Sequence, residues 1–442
     1  MLKGKIAKLA VSDVRFPTSL EQHGSDAMHA NPDYSAAYVV IETDDGLKGY
    51  GITFTVGRGT EIVVCAVEAL STLVIGKTLE DIVSNFSGFY RCLTSDSQMR
   101  WIGPEKGVIQ LASAAILNAI WDMWARAEGK PLWKLLVDMD PKQLIRCIDF
   151  RYITDALTEQ EALSELISIG IQLNYDLPEE MLKEGYPAYT TSCAWLGYSD
   201  QQLTQLCSTA LTEGWTKFKV KVGADLQDDI RRCSLIRKMI GPENSLMIDA
   251  NQRWDVAEAI SYVTKLAEFR PLWIEEPTCP DDILGHAAIS KALAPLGIGV
   301  ATGEQCHNRV MFKQFLQASA LQFVQIDSCR VGSVNENLAI MLMAAKFRVP
   351  VCPHAGGVGL CELVQHLILF DYISVSASLE NRMCEYVDHL HEHFKSPTVI
   401  RNAHYMPPKD PGFSSEMFDE SVQKHQFPHG EVWRSILEKN GS

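Results

Sequence analysis

Residues 218–223 read FKVKVG and residues 245–251 read SLMIDAN. Four more runs follow in the same manner: LWIEEP (272–277), IGVATGE (298–304), FVQIDS (323–328) and VPVCPHA (349–355). Each is a short apolar stretch at whose end a polar side chain stands: Lys221, Asp249, Glu275, Glu304, Asp327 and His354 in turn. The steps between these six are 28, 26, 29, 23 and 27 positions. That near-constant step is about one strand-plus-helix unit, and parallel βα barrels carry their chemistry at strand C-termini. The spacing predicts a lysine, three carboxylates and an Asp/His couple on one rim, which is a metal site with two acid/base groups.

The same alternation extends on both sides. TTSCAW (190–195) reads as a first strand, SDQQLTQLCSTALTEG (199–214) as a first helix stopped by Gly214, and YISVSAS (372–378) as an eighth strand. The fold class is α/β, a modified TIM barrel of (β/α)7β or (β/α)8 type over residues 188–395. Residues 1–140 form a separate α+β unit. KIAKLAVSDVRF (5–16) and AAYVVIETDDGLKGYGITFTV (36–56) give three antiparallel strands, the latter two turning at Asp45-Gly46. Two helical stretches follow, GTEIVVCAVEALSTLVIG (59–76) and VIQLASAAILNAIWDMWARAEG (108–129). Between the first two strands lies an aperiodic polar segment, SLEQHGSDAMHANPDY (19–34), suited to a lid. Residues 141–187 read as a linker with a charged helical insertion. Residues 396–442 form an irregular tail that wraps back over the first domain.

Composition narrows the function. With 46% hydrophobic residues the chain builds a full core, and no stretch reaches ~20 uninterrupted apolar residues, the length of a membrane helix. A net charge of −15 argues against nucleic acid and against an anionic membrane as partner. It leaves room for an anionic small molecule, because a dication and lysines can reverse the local field. Twelve cysteines without CxxC pairs, and a start without an apolar signal core, read as reduced, mostly buried thiols of an intracellular protein. Lys3, Lys5, Lys8 and Arg15 are reminiscent of an organelle transit segment, but KIAKLAVSDVRF alternates like a strand. Mitochondrial and cytoplasmic residence both stay open, as does a homo-oligomeric state.

Each candidate has a bland alternative. A single carboxylate at a βα junction is usually a helix cap. Three in register, Asp249, Glu275 and Glu304, with no cysteine ligand nearby, instead suit a hard cation such as Mg²⁺. Lys219 and Lys221 lie two apart, so both point to one side of a strand. If that side is the interior, repulsion and burial are expected to lower at least one pKa. Asp327 would orient His354 and raise its basicity. His389, His391 and His393 in DHLHEHF read as an exposed polar face, Cys306 and Cys329 as packing groups, and HAGGVGLCE as a tight exit beside His354.

These residues resemble the mandelate-racemase branch of the enolase superfamily. The stretches GSDAM, PDYSAAYVV, RWIGPEKGV, GYPAYTTS, GWTKFKVKVG, DANQRWDV, IEEPTCPDDILGHA, VGSVNENLAI and PHAGGVGLCELVQHL are similar to those of L-fuconate dehydratases and their animal relatives. The likeness covers nearly the whole chain. It implies a capping domain built from both termini and one Mg²⁺ held by Asp249, Glu275 and Glu304. It also implies Lys221 as the base at C2 of an acid sugar, Lys219 beside the substrate carboxylate, and His354, held by Asp327, as the acid. Asn251, Glu304 and Glu385 would contact substrate or its enolate, and Gly24, Ser25, Asp26 and Tyr34 would read the distal hydroxyls. The implied reaction is dehydration of L-fuconate to 2-keto-3-deoxy-L-fuconate through a metal-stabilised enediolate. Racemisation or epimerisation of a 2-hydroxy acid is the alternative on this fold, and a non-catalytic binding protein the alternative outside enzymes. TTSCAW and EQC (304–306) depart from the bacterial pattern, which bears on substrate preference rather than on chemistry.

Overall fold

The computed structural model describes residues 3–172 and 177–440. The N-terminal sheet has β1 (Ile6–Arg15), β2 (Ser35–Thr43) and β3 (Lys48–Thr55) in antiparallel order β1-β2-β3. Its inner face packs on the helix Gly107–Ala127, whose apolar residues recur on every side. That helix is long and apolar enough to span a membrane, yet 89% of its most apolar window is buried in protein. It is the core helix of this domain, between the sheet and the barrel.

The barrel begins with β4 (Tyr186–Thr190) and continues through β5 (Lys217–Lys221), β6 (Ser245–Asp249), β7 (Trp273–Glu275), β8 (Gly299–Thr302) and β9 (Phe323–Val324). Each is parallel to the next. The seventh position is a single bridge from Val351 to Val324, and the eighth is β10 (Cys384–Tyr386), which pairs with β4 and closes the ring. Seven helices separate these eight positions, so the barrel is (β/α)7β. Strand interiors are apolar on both sides because helices cover the outside and side-chain layers fill the inside. Tyr189, Met247, Trp273, Ala301, Phe323, Cys352 and Met383 form one such inner cluster.

Two sequence expectations need correcting here. The first strand is YPAYT, ending where TTSCAW begins. YISVSAS is no strand: Asp371–Ser376 continues the apolar helix Leu360–Phe370 as a π-helical turn. Its alternating serines imitate a two-residue period, but the preceding helix already supplies the hydrogen-bond pattern that the next turn extends.

The insertion forms the helices Glu159–Gln172 and Leu177–Glu184, with residues 173–176 outside the described set. The tail is more regular than its sequence implies. β11 (Val399–Arg401) and β12 (His404–Met406) make a hairpin that extends the barrel sheet antiparallel to β4. Beyond it the chain crosses to the first domain. Ser415 Oγ donates to Tyr50 O at 2.6 Å, Phe427 N to Asp13 O at 2.9 Å, and Trp433 Nε1 to Arg15 O at 2.8 Å. All twelve cysteines are free thiols and nine are buried.

Candidate active site

Parallel pairing puts Lys221 level with Asp249, and Asp249 level with Glu275. Glu304 follows β8 by two residues, past Gly303. Each side chain therefore reaches the same rim from a neighbouring strand, and the carboxylates of Asp249, Glu275 and Glu304 offer oxygens within 4.8 Å of one another. Among the described residues no other group of three metal-capable side chains converges.

Two lysines meet these carboxylates from β5. Lys221 Nζ lies 2.5 Å from Asp249 Oδ2. Lys219 Nζ lies 2.6 Å from Glu275, 2.7 Å from Glu385 and 3.4 Å from Asp249, fully buried. The expected fall in lysine pKa does not occur. Burial is the largest single influence and lowers both, but Glu275, Glu385 and Asp249 together outweigh it for Lys219, and Asp249, Glu304 and Asp26 together outweigh burial and the Lys219 charge for Lys221. Both ammonium groups are raised, because each lysine is nearer to a carboxylate than to its twin.

Positive charge is nevertheless short. Burial and the Asp249 charge push Glu275 up to about 8, even with an ammonium at 2.6 Å. Behind it Glu276, buried and bonded to Gln252, is raised by burial and by Glu304. A set of hard oxygen donors that its own lysines leave under-neutralised fits a dication such as Mg²⁺. Chelation with EDTA is expected to lower the melting temperature, and Mg²⁺ to restore it by a shift that grows with the logarithm of its concentration. No Mg²⁺-dependent shift in calorimetry would reject the site.

On the opposite side His354 Nδ1 pairs with Asp327 Oδ2 at 2.7 Å. Asp327 Oδ1 also accepts the backbone N–H groups of Cys329 and Arg330 at 2.7 and 2.8 Å, which fixes the carboxylate. His354 Nε2 lies 3.4 Å from Glu304 and 3.8 Å from Glu385. Burial lowers its pKa, but Glu304, Asp327 and Glu385 overcome this and bring it to about 9. Glu385 Oε2 accepts the Ala355 N–H at 3.0 Å, and the Asn251 backbone N–H donates to Asp249 at 2.9 Å, while the buried Asn251 Oδ1 has no donor among the described residues.

These groups face a cavity of about 370 Å³. Lys221, Asn251, Glu304, Asp327, His354 and Glu385 line its barrel side. Gly24, Asp26 and Tyr34 line it from the lid, whereas Ser25 turns its hydroxyl to Ala30 O and its carbonyl to Leu196 N–H. Lys219, Asp249 and Glu275 are fully buried and are not among its lining residues. Gly24 has φ +78°, and a Cβ there would meet the Tyr34 hydroxyl at 2.3 Å. In the HAGG turn a Cβ on Gly357 would meet the Phe54 ring at 2.7 Å, so this glycine lets the capping domain close on the rim.

Sequence reading missed several lining groups. Phe54, Val56, Val63, Val108 and Leu111 reach the cavity from the capping domain, and Trp195 reaches it from the TTSCAW turn. They belong to amphipathic elements whose pattern shows burial but not what they are buried against. Cys329, read as packing, also lines the cavity, while Cys306 is simply buried. The three histidines of DHLHEHF are not an exposed face: their side chains are 13%, 16% and 15% exposed. His389 stacks on Tyr34, His391 Nδ1 lies 2.6 Å from Glu362, and His393 Nδ1 lies 3.0 Å from Ser421. Lid and tail both fold onto this segment, a long-range effect with no local period.

A carboxylate triad, paired lysines and an Asp/His couple on a capped (β/α)7β rim define an enolase-type barrel. Residues 202–421 match the family described as Enolase C-terminal domain-like. Residues 17–137 match the Mandelate racemase / muconate lactonizing enzyme, N-terminal domain. The chain belongs to the mandelate racemase subgroup of the enolase superfamily. It is 75% identical to Mitochondrial enolase superfamily member 1 of Xenopus laevis over 99% of both chains. It is 51% identical to the L-galactonate dehydratase of Hypocrea jecorina over 94% of this chain and 92% of that one. The crystal structure of human Mitochondrial enolase superfamily member 1 superposes with TM-score 0.98 at 72% identity, covering 99% of each chain.

Proposed function

We propose that this chain is a Mg²⁺-dependent hydro-lyase of acid sugars that converts L-fuconate to 2-keto-3-deoxy-L-fuconate. One observation carries the reading: Lys221 and the Asp327-held His354 face a single cavity across the carboxylate triad. The similarity to an L-galactonate dehydratase supports the acid-sugar class. L-fuconate has a methyl group where L-galactonate has a hydroxymethyl group, and the capping side of the cavity is apolar at Phe54, Val56, Val63, Val108 and Leu111, with Thr55 and Arg58 its polar interruptions. An apolar wall favours the methyl group, because a buried hydroxyl without a partner costs free energy. Mitochondrial residence is part of the proposal and rests on the name of the relatives.

Asp249, Glu275 and Glu304 would hold Mg²⁺, which when bound supplies Lewis-acid stabilisation of the charge that develops on the substrate carboxylate. Lys219, buried beside the triad, adds a fixed positive charge at the same place. Lys221 removes the C2 proton once Asp249 is engaged elsewhere and no longer holds its ammonium. The C–H electrons move first onto the substrate carboxylate as an enediolate, and return to form the C2–C3 double bond as the C3–O bond breaks. His354 Nε2 gives its proton to the departing hydroxyl, which leaves as water. The enol then takes up a proton at C3 and becomes the 2-keto acid. Racemisation needs the same base but returns the proton to C2, so the product separates the two readings.

The test is turnover of an acid-sugar panel with Mg²⁺, the 2-keto-3-deoxy product being trapped as its semicarbazone. Absence of both product and C2 deuterium exchange would sink the enzyme reading. His354→Asn is expected to slow dehydration by about 10²–10⁴, the usual worth of a general acid, while C2 exchange falls much less. Equal loss of both, followed by NMR in D₂O, would remove His354 as the acid at C3.

A further inference from the structure

The lid contains a second Asp/His couple that sequence reading did not single out. Asp26 Oδ1 accepts the backbone N–H groups of Met28 and His29, each at 2.7 Å, and Asp26 N–H donates to His29 O at 3.0 Å. Asp26 Oδ2 lies 3.1 Å from His29 Nδ1. Both oxygens of this carboxylate are thus occupied within the lid. With Nδ1 on Asp26, the ring is locked in orientation, and its Nε2 has no protein partner among the described residues. His29 lines the cavity together with Lys221 and Glu304, whose charges both reach it. The lid that carries it is tied to the barrel by the Leu196 N–H to Ser25 O bond at 3.0 Å.

We propose that His29, oriented by Asp26, is a specificity-determining residue whose Nε2 hydrogen-bonds a substrate hydroxyl beyond C3, at C4 or C5. The inference rests on the acid-sugar reading and deepens it, since it moves the direct contact from Asp26 to His29. Asp26 becomes the positioning residue, in the relation Asp327 has to His354. The capping wall carries the apolar Phe54, Val56, Val63, Val108 and Leu111 beside the polar Tyr34, Thr55 and Arg58, and His29 is the polar group on it whose orientation a neighbouring carboxylate fixes. A hydroxyl left without its partner there costs more than one never present.

The experiment is a cycle between enzyme and substrate. kcat and KM are measured for the wild type, His29→Ala and His29→Gln, each on the best acid sugar and on its 4-deoxy and 5-deoxy analogues. His29→Ala is expected to lose about tenfold in kcat/KM on the full substrate, chiefly through KM, as for one direct hydrogen bond to substrate removed. On the analogue lacking the contacted hydroxyl its loss falls below about twofold by the same argument. His29→Gln, which keeps a polar tip, recovers part of the selectivity. The same factor on all three compounds, or no loss at all, overturns the assignment. Should the wild type turn over no acid sugar, the functional reading fails by itself. The His29 contact is then decided by calorimetric titration of L-fuconate into the Mg²⁺-loaded protein. About tenfold weaker binding to His29→Ala supports it, and equal binding or none overturns it.

Discussion

Lys221→Ala is expected to abolish both C2 deuterium exchange and dehydration, a loss of about 10⁴-fold or more for removal of the base. The side chain stands at the end of β5, 2.5 Å from Asp249 and on the cavity wall. His354 stands farther round the same rim, its ring held by Asp327. The control is metal affinity: the variant should keep its Mg²⁺-dependent rise in melting temperature, because Asp249, Glu275 and Glu304 are untouched. Exchange at the wild-type rate, followed by loss of the C2 proton signal in D₂O, would show that the base is another group.

The second large effect concerns stability. Arg309 is 1% exposed and starts the helix Arg309–Gln317 just beyond Glu304. Its Nη1 lies 2.7 Å from Glu105 and 3.0 Å from Glu336, and its Nη2 bonds Arg151 O at 2.9 Å and lies 3.5 Å from Asp149. These partners come from the capping domain, a barrel helix and the connecting segment. Arg309→Met removes one charge and strands the acids around it, which is expected to cost about 3–5 kcal/mol in urea unfolding. Adding Glu336→Gln should return part of that loss, since one stranded charge is then gone. A single variant as stable as the wild type would mean that water neutralises the cluster.

Much of the site was legible because a barrel imposes a period on sequence. Lys221, Asp249 and Glu275 end their strands, Glu304 stands two residues past its own, and Asp327 and His354 sit where the next two strands leave the ring. Repetition at a fixed step was a stronger signal than any one residue. Lys219 was legible from the two-residue period of β5. What could not be read was set by distance along the chain. The pKa of Lys219 depends on Glu385, on the strand that closes the barrel. YISVSAS carried a local pattern that the preceding helix overrode. His29 lies in a segment with no period at all, where only its pairing with Asp26 and its place at the cavity single it out.

The tail also sets an order on assembly. β1 is held by Phe427 and Trp433, some four hundred residues further along the chain. Every barrel strand through β10 has left the ribosome before those partners exist, so the ring can form while the lid still hangs from an unfinished sheet edge. A nascent or prematurely ended chain would lack these ties on β1, while the Leu196 N–H to Ser25 O bond still joins lid and barrel. Synthesis through Trp433 adds the last ties on β1, the strand that leads into the lid, which makes them a late step set by the chain's own length.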